Sequence, residues 1–483
     1  MKFLSTFVSV LSVLPPLAIG FLIVSLLWHK DRSVLSDLAL KLCLSVGIGL
    51  GTSSCLVFVW MMIVGRLTRG VLVFELIALV GLFALLVWRK RSIPSAAIDQ
   101  AESISIPDSK SPYLLRLAVC VASLSAVICL WCFSVQNPHG WFDAYAIWNL
   151  RARFLYRGGE YWKSFTYMTW SHPDYPLLVP ASIAGSWEFI GRETQLIPIA
   201  IGLLFTVATI GIVAISVSRF RGERQGLLAG LVLLGTPFLI IHGTSQCADV
   251  PLSFFFVATV ALLFLHLQSP MQTHFLTLAG MAAAFSAWTK NEGILFVVLS
   301  VLLYRVVTAV TERRLNWRRE LAATLMGAAP VIAIVFVYKV RVAAANDLVV
   351  AQKVGSTVPK LLDMSRYHSV ITEFARGAFN FGQWSPALGM PLLLFFYFLL
   401  VGARVEKRDV PAVSMAVLLP ACMIVGYFFV YILSPHDLAW HLESSLSRLL
   451  LQLWPLAIFA YFAIVRSPEQ ALMAESCKGD LPN

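Results

Sequence analysis

GWFDAYAIWNLRARFLYRGGEYWKSFTYMTWSHPDYP, residues 140–176, is a long polar stretch rich in aromatics and set between two strongly apolar segments. It carries two aspartates, Asp143 and Asp174. Outward from it, nearly everything reads as membrane helix. The chain has 483 residues, of which 58% are hydrophobic and 13% charged. Soluble domains carry about 25% charged residues, so this composition places the chain in a bilayer. The fold class it implies is an all-α polytopic membrane protein.

A spanning helix needs about 20 apolar residues. By that measure candidate spans fall near 5–28, 41–64, 70–88, 114–135, 195–217, 226–242, 249–267, 275–289, 291–310, 321–342, 386–403, 410–433 and 446–465, about thirteen in all. The first is too long for a signal peptide and lacks a small-residue cleavage pattern, so it counts as a span. Segment 177–191 is apolar but short and Pro-flanked, and reads as a partial helix packed against the 140–176 loop.

The positions of Lys and Arg set the orientation. One side collects 29–41, 89–116, 219–224, 305–319, 404–408 and the tail, with 21 basic residues. The other side keeps 5 once the two long loops, 136–194 and 339–385, are set aside. Long loops are poor witnesses for topology. The basic side is therefore expected to be cytoplasmic. That puts the protein in the inner (cytoplasmic) membrane, multi-pass, with the Asp143 loop on the periplasmic or extracellular face. The net charge of +11 then implies anchoring to anionic membrane lipid, not nucleic-acid binding.

The chain divides into an N-terminal three-helix unit (1–88), a polar cytoplasmic linker (89–112), a main module (113–465) with outer loops 136–194 and 343–385, and a polar cytoplasmic tail (466–483). Of eight Cys, six (Cys43, Cys55, Cys120, Cys129, Cys132, Cys422) fall inside expected spans, which reads as buried free thiols.

Five places carry chemistry. In FDAYAIWNLRARFL, positions 143, 147, 150 and 154 share one helical face, and the last three are apolar. Asp143 is thus turned inward, as a general base at the membrane edge would be. A helix-start carboxylate that favours the dipole is the plainer alternative. In His172-Pro173-Asp174-Tyr175-Pro176, two prolines fix an extended segment on which His172 and Asp174 could together hold a divalent metal ion or a polar substrate. Two ligands alone do not make a metal site; a turn in which Asp174 binds backbone amides is the alternative.

Asp249 opens a span, as a site acid or as a simple cap. Lys290-Asn291-Glu292 interrupts an apolar hairpin, and Lys290 could bind a lipid-linked phosphate or merely pair with Glu292. Arg448 opens the last span, as a phosphate ligand or as a side chain reaching for headgroups. The aromatics Trp141, Tyr145, Trp148, Tyr161, Trp162, Tyr167 and Trp170 read as an interfacial belt.

The order of these features resembles a known superfamily. A span is followed by an outer loop with an early Asp, a second acid beside YPLL, then RFRGERQGLLAGLVLLGTPFLI (219–240), SQCADVPLSFFFVATVALL (245–263) and WTKNEGILF (288–296), with a weaker echo in SRLLLQLWP (447–455). This is similar to the GT-C glycosyltransferases, and more narrowly to the bacterial branch of lipid A aminoarabinose transferases and protein O-mannosyltransferases. The resemblance covers about 113–310. It implies amphipathic juxtamembrane helices in the first outer loop, a polyprenyl-phosphate-linked sugar donor, and inverting hexosyl or pentosyl transfer to a glycan, lipid or protein acceptor. By the resemblance Asp143 is the catalytic acid, and Asp174, Asp249, Lys290 and Arg448 fall on substrate-binding positions, with His172 and Glu292 beside them. Two departures stand out: Asp143 is followed by Ala144 where the family often has a second acid, and TKNEG replaces a tighter TK-G pattern.

A nucleotide-sugar donor would need a cytoplasmic phosphate-binding loop, and neither GxGxxG nor a P-loop occurs. A transporter or flippase of a lipid-linked or small polar substrate is the alternative class. It would place ionisable residues near mid-bilayer.

Overall fold

The structure is a computed structural model that describes residues 9–28, 35–92, 112–311, 316–346, 357–385, 389–468 and 470–471. Among the described residues the regular secondary structure is all helical, apart from one isolated bridge between Ala403 and Val465. In chain order the helices are α1 (Leu14–Leu27), α2 (Leu35–Val64), α3 (Gly70–Ser92), α4 (Tyr113–Gln136), α5 (Asn149–Arg157), α6 (Leu178–Ile190), α7 (Leu196–Arg221), α8 (Glu223–Leu234) and α9 (Pro237–Thr244). They continue with α10 (Asp249–Gln268), α11 (His274–Thr289), α12 (Glu292–Val310), α13 (Trp317–Arg341), α14 (Thr357–Leu362), α15 (Met364–Asn380), α16 (Gly389–Val401), α17 (Val410–Leu433) and α18 (Leu438–Ile464).

Among the described residues ten helices are long and apolar enough to cross a membrane, eleven if α8 and α9 count as one broken span. The expected thirteen are not confirmed. Segment 226–242 is bent by 65° where Pro237 starts a new helix after Gly235-Thr236. Within 275–289 and 386–403 the helices are 16 and 13 residues long, short of a full crossing. α11 can be short because it is buried among its neighbours and meets little lipid. Most of linker 89–112, nearly all of tail 466–483 and part of loop 343–385 lie outside the described residues.

The core sits around α10, which is buried over almost its whole length. A helix hydrophobic all round is the mark of such a position. By contrast α3 and α4 turn Phe83, Leu124 and other large apolar side chains outward, as lipid-facing helices do. α1 packs on α2 with their backbones in near contact. A Cβ on Gly20 would stand 2.1 Å from the Ser45 carbonyl oxygen, and one on Gly49 2.1 Å from that of Pro16. Small residues at such crossings let membrane helices approach closely. α2 reaches into the main core: Trp288 Nε1 donates to Ser54 Oγ (2.9 Å), and Ser182 Oγ to the Leu50 carbonyl (3.2 Å). The three-helix unit expected over 1–88 therefore shares one hydrophobic core with the rest. All described Cys are free thiols.

Candidate active site

The 140–176 stretch returns from α4 across the ends of α10, α11, α13 and α18. It enters through Gly140, whose φ of +72° suits glycine, and whose Cβ, were there one, would lie 2.6 Å from the Ser245 carbonyl oxygen. Trp141 N–H donates to that same carbonyl (3.3 Å). Residues Ala144–Trp148 then form a π-helical turn before α5. The extra residue in this turn shifts the helical phase. The buried residues are Ala144, Ala146, Ile147, Trp148, Asn149, Arg151, Ala152 and Leu155, so that of the expected 143, 147, 150 and 154 only Ile147 is fully buried. Asp143 consequently stands at the edge of the apolar face, half-buried. The aromatic belt also divides: Trp148 and Trp162 are core residues, whereas Tyr145, Tyr161, Tyr167 and Trp170 are exposed.

Arg151 on the buried face organises the second half of the loop. Its guanidinium, fully buried, donates to the carbonyls of Ser171 (2.6 Å), His172 and Tyr175 (2.8 Å). Burial alone lowers its pKa. Tyr338 on α13 donates to the Tyr175 carbonyl (2.7 Å) and to that of Pro173 (3.2 Å). His172 takes a left-handed φ of 47°, and its ring stacks on Tyr175 at 5.2 Å. Tyr175 in turn stacks on Trp148 at 5.7 Å, with the planes only 9° apart.

Asp174 is thereby pulled into the interior, 1% exposed. Its Oδ2 accepts from Asn291 (2.5 Å) and Asn346 (2.6 Å), with Lys339 Nζ 3.7 Å away. Lys339 also donates to the Asp174 carbonyl (2.7 Å) and to Asn291 Oδ1 (2.6 Å). Among the described residues no group of three or more His, Cys, Asp or Glu is arranged to hold a metal.

A second acid, Asp249, opens α10 without acting as a cap. Its Oδ1 accepts from Lys290 Nζ (2.9 Å) and from Gln452 of α18 (2.7 Å), and Tyr427 of α17 donates to the other end of Gln452 (2.9 Å). Lys290 sits between α11 and α12, buried, over the Tyr175 ring (5.5 Å to its centre) and 2.9 Å from Glu292. Burial alone would lower the Lys290 pKa, but the adjacent Asp249 and Glu292 outweigh it and hold the ammonium well above its ordinary range. Of the two sequence alternatives for Lys290, the pairing with Glu292 is present, and Lys290 pairs with Asp249 as well. Glu292 Oε2 is buried and makes no hydrogen bond.

Arg448 stands between half-buried Asp143 and buried Asp249. Its guanidinium pairs with Asp143 Oδ2, and its second amino group donates to the Ser444 carbonyl (3.1 Å). Asp249 and Arg448 are near enough to feel one another's charge. Cys247, buried beside them, has its thiol pushed up to about 12 by burial first and by Asp249 second, so it stays protonated.

Asp143, Arg448, Asp249, Lys290, Glu292 and Asp174 therefore form one connected group at one end of the bundle. The sequence singled out all six. It did not single out Gln452, Tyr427, Asn346, Lys339 or Arg151, which hold them, and it named Asn291 without giving it a role. Of these only Arg151 carried a signal, as a charge on the inward side of an otherwise apolar helical face.

Residues 174–338 match the family model described as dolichyl-phosphate-mannose-protein mannosyltransferase. Over that part the chain is similar to a membrane glycosyltransferase family. The matched part contains Asp174, Asp249, Lys290 and Glu292, while Asp143 and Arg448 lie on either side of it. No curated protein matches the chain. Among solved structures, the crystal structure of ArnT from Cupriavidus metallidurans in the apo state aligns at 15% identity over 72% of this chain and 75% of that one, with a TM-score of 0.34, a likeness too loose to bear on the site.

Proposed function

We propose that this protein transfers a sugar from a polyprenyl-phosphate donor to an acceptor hydroxyl with inversion, on the periplasmic or extracellular face of a cytoplasmic membrane, with Asp143 as general base. The acceptor is a glycan, lipid or protein. The observation that carries the reading is the position of Arg448, paired with half-buried Asp143 on one side and within the field of buried Asp249 and Lys290 on the other.

The reaction moves one negative charge. The acceptor oxygen bonds to the anomeric carbon, the carbon–oxygen bond to the phosphate breaks, and the acceptor proton passes to Asp143. The carboxylate becomes neutral while the leaving phosphate gains the charge. A guanidinium between the two positions can follow that charge from one to the other, and its planar fork suits both partners. The incoming phosphate would draw Arg448 away and leave Asp143 free to accept a proton. Lys290, locked in its charged form, adds a fixed positive charge. Glu292 Oε2 offers an acceptor for a sugar hydroxyl.

Clustering of the charged groups at one end of the bundle supports transfer over transport, which would place them near mid-bilayer. The test is sugar transfer from a radiolabelled polyprenyl-phosphate hexose or pentose in membranes carrying Asp143→Asn. Transfer should vanish while the protein still binds donor. Near wild-type transfer in that variant removes the base assignment.

A further inference from the structure

At the end of the bundle away from Asp143, α12 and α13 both pack on α11 but scarcely meet each other. Between them lies a partly open slot, its walls almost wholly apolar. Its floor on α11 is made of Ala279, Gly280 and Ala283. The floor is low because α13 presses onto it, and a Cβ on Gly280 would stand 2.2 Å from the Thr324 carbonyl oxygen. Apolar Val298 and Leu302 on α12 face outward, so the slot borders the lipid.

The slot has a polarity along its length. Helix direction orders its lining residues, since α12 runs away from Lys290 and α13 runs back toward Lys339. Val297 and Ala328 therefore lie toward mid-bilayer, and Arg305 and Glu320 toward the far surface. At that surface Tyr304 donates to Glu320 (3.1 Å), and Arg305 stands 3.8 Å from the same carboxylate. Glu320 is thus compensated. Beyond it a positive rim remains. The Arg305 and Arg318 guanidinium groups both lie over Trp317, 5.9 Å and 5.5 Å from its ring, and Arg319 is exposed beside them. Holding two guanidinium groups on one indole restricts their side-chain freedom before any ligand arrives.

We propose that this slot holds one acyl chain of an anionic phospholipid from the leaflet opposite Asp143, with its phosphate on Arg305 and Arg318. Charge and polarity order both select that occupant. Basic pockets between membrane helices at the bilayer surface are suited to anionic headgroups, and guanidinium groups bind phosphate oxygens in pairs. A polyprenyl chain descending from the Lys290 end would bring its hydrocarbon tip against Arg305 and Glu320, a mismatch of polarity. A phospholipid inserted from the Arg305 side presents its head to charge and its chain to the apolar walls. The proposal stands independently of the transfer reaction.

The test is native mass spectrometry of the full chain in detergent, titrated with phosphatidylglycerol or with phosphatidylcholine of the same acyl chains. Thermal unfolding is followed in parallel, because a ligand of the folded state raises the melting temperature. Wild type should retain phosphatidylglycerol and be stabilised by it, and phosphatidylcholine should do neither. Retention of phosphatidylglycerol should fall about tenfold in the double variant Arg305→Ala and Arg318→Ala, a loss in keeping with removed charge-assisted bonds. Val301→Trp, which fills the slot from its half-buried wall, should lower it similarly with the headgroup ligands intact. Equal retention of both lipids, or unchanged retention in both variants, overturns the proposal. So does displacement of phosphatidylglycerol by undecaprenyl phosphate that depends on Val301 but not on the arginines, since that assigns the slot to the isoprenoid chain.

Discussion

Asp143 and Asp174 lie in the same loop and end in opposite conditions. Asp143 has about a quarter of its side chain in the open and pairs with Arg448. Asp174 is buried and tied by Asn291, Asn346 and Lys339. A carboxylate whose oxygen is saturated by amides is spent on structure. One that shares a single partner with a neighbouring charged pair can exchange that partner for a substrate. Burial and partner count separate the two roles, which residue type and loop position do not.

The sharpest way to break this division is to change the charges one at a time. Asp143→Asn should lower sugar transfer by about three orders of magnitude, within the span known for a lost general base, with melting unchanged within error. Asp174→Ala should act on stability first. It leaves Lys339 beside an empty polar pocket and should cost about 3 kcal/mol, as for a broken buried pair, read as a lower melting temperature in detergent. If Asp174→Ala instead abolishes transfer in a protein that melts normally, the two aspartates share one role and the division fails.

Arg448→Ala should raise the donor concentration needed for half-maximal transfer about tenfold, the loss of a charge-assisted phosphate contact, and leave acceptor dependence alone. An unchanged donor dependence would falsify the charge-following role. Glu292→Gln is the mildest case. It keeps an acceptor oxygen for a sugar hydroxyl while removing one charge from Lys290, so transfer should fall only a few-fold. A loss as large as that of Asp143→Asn would move the proton acceptor from Asp143 to Glu292.

Much of this was readable in the sequence because charge in an apolar chain is conspicuous. Asp249, Lys290, Glu292 and Arg448 each interrupt hydrophobic runs, and each arrives at the same end of the bundle. The residues that orient them were not readable. Asn291, Asn346 and Gln452 are neutral amides with no periodicity, and only the fold brings them beside a carboxylate. The helical phase of 142–155 failed for a local reason, since a 3.6-residue period does not survive a π turn. Helices were easy to locate and full spans less so, because α11 and α16 are apolar yet shorter than the bilayer is thick.

The π turn at Ala144–Trp148 has one more consequence. Upstream the chain is pinned where Trp141 meets Ser245, and downstream where Arg151 gathers three carbonyls. Between two fixed anchors, a turn with one surplus residue works as a spacer whose length sets the angle of the carboxylate. Deleting Ala144 would leave every charged group in the chain and rotate Asp143 by roughly 100° about the helix axis, away from Arg448. The aim of Asp143 is thus set by the number of residues between the anchors as much as by their kind.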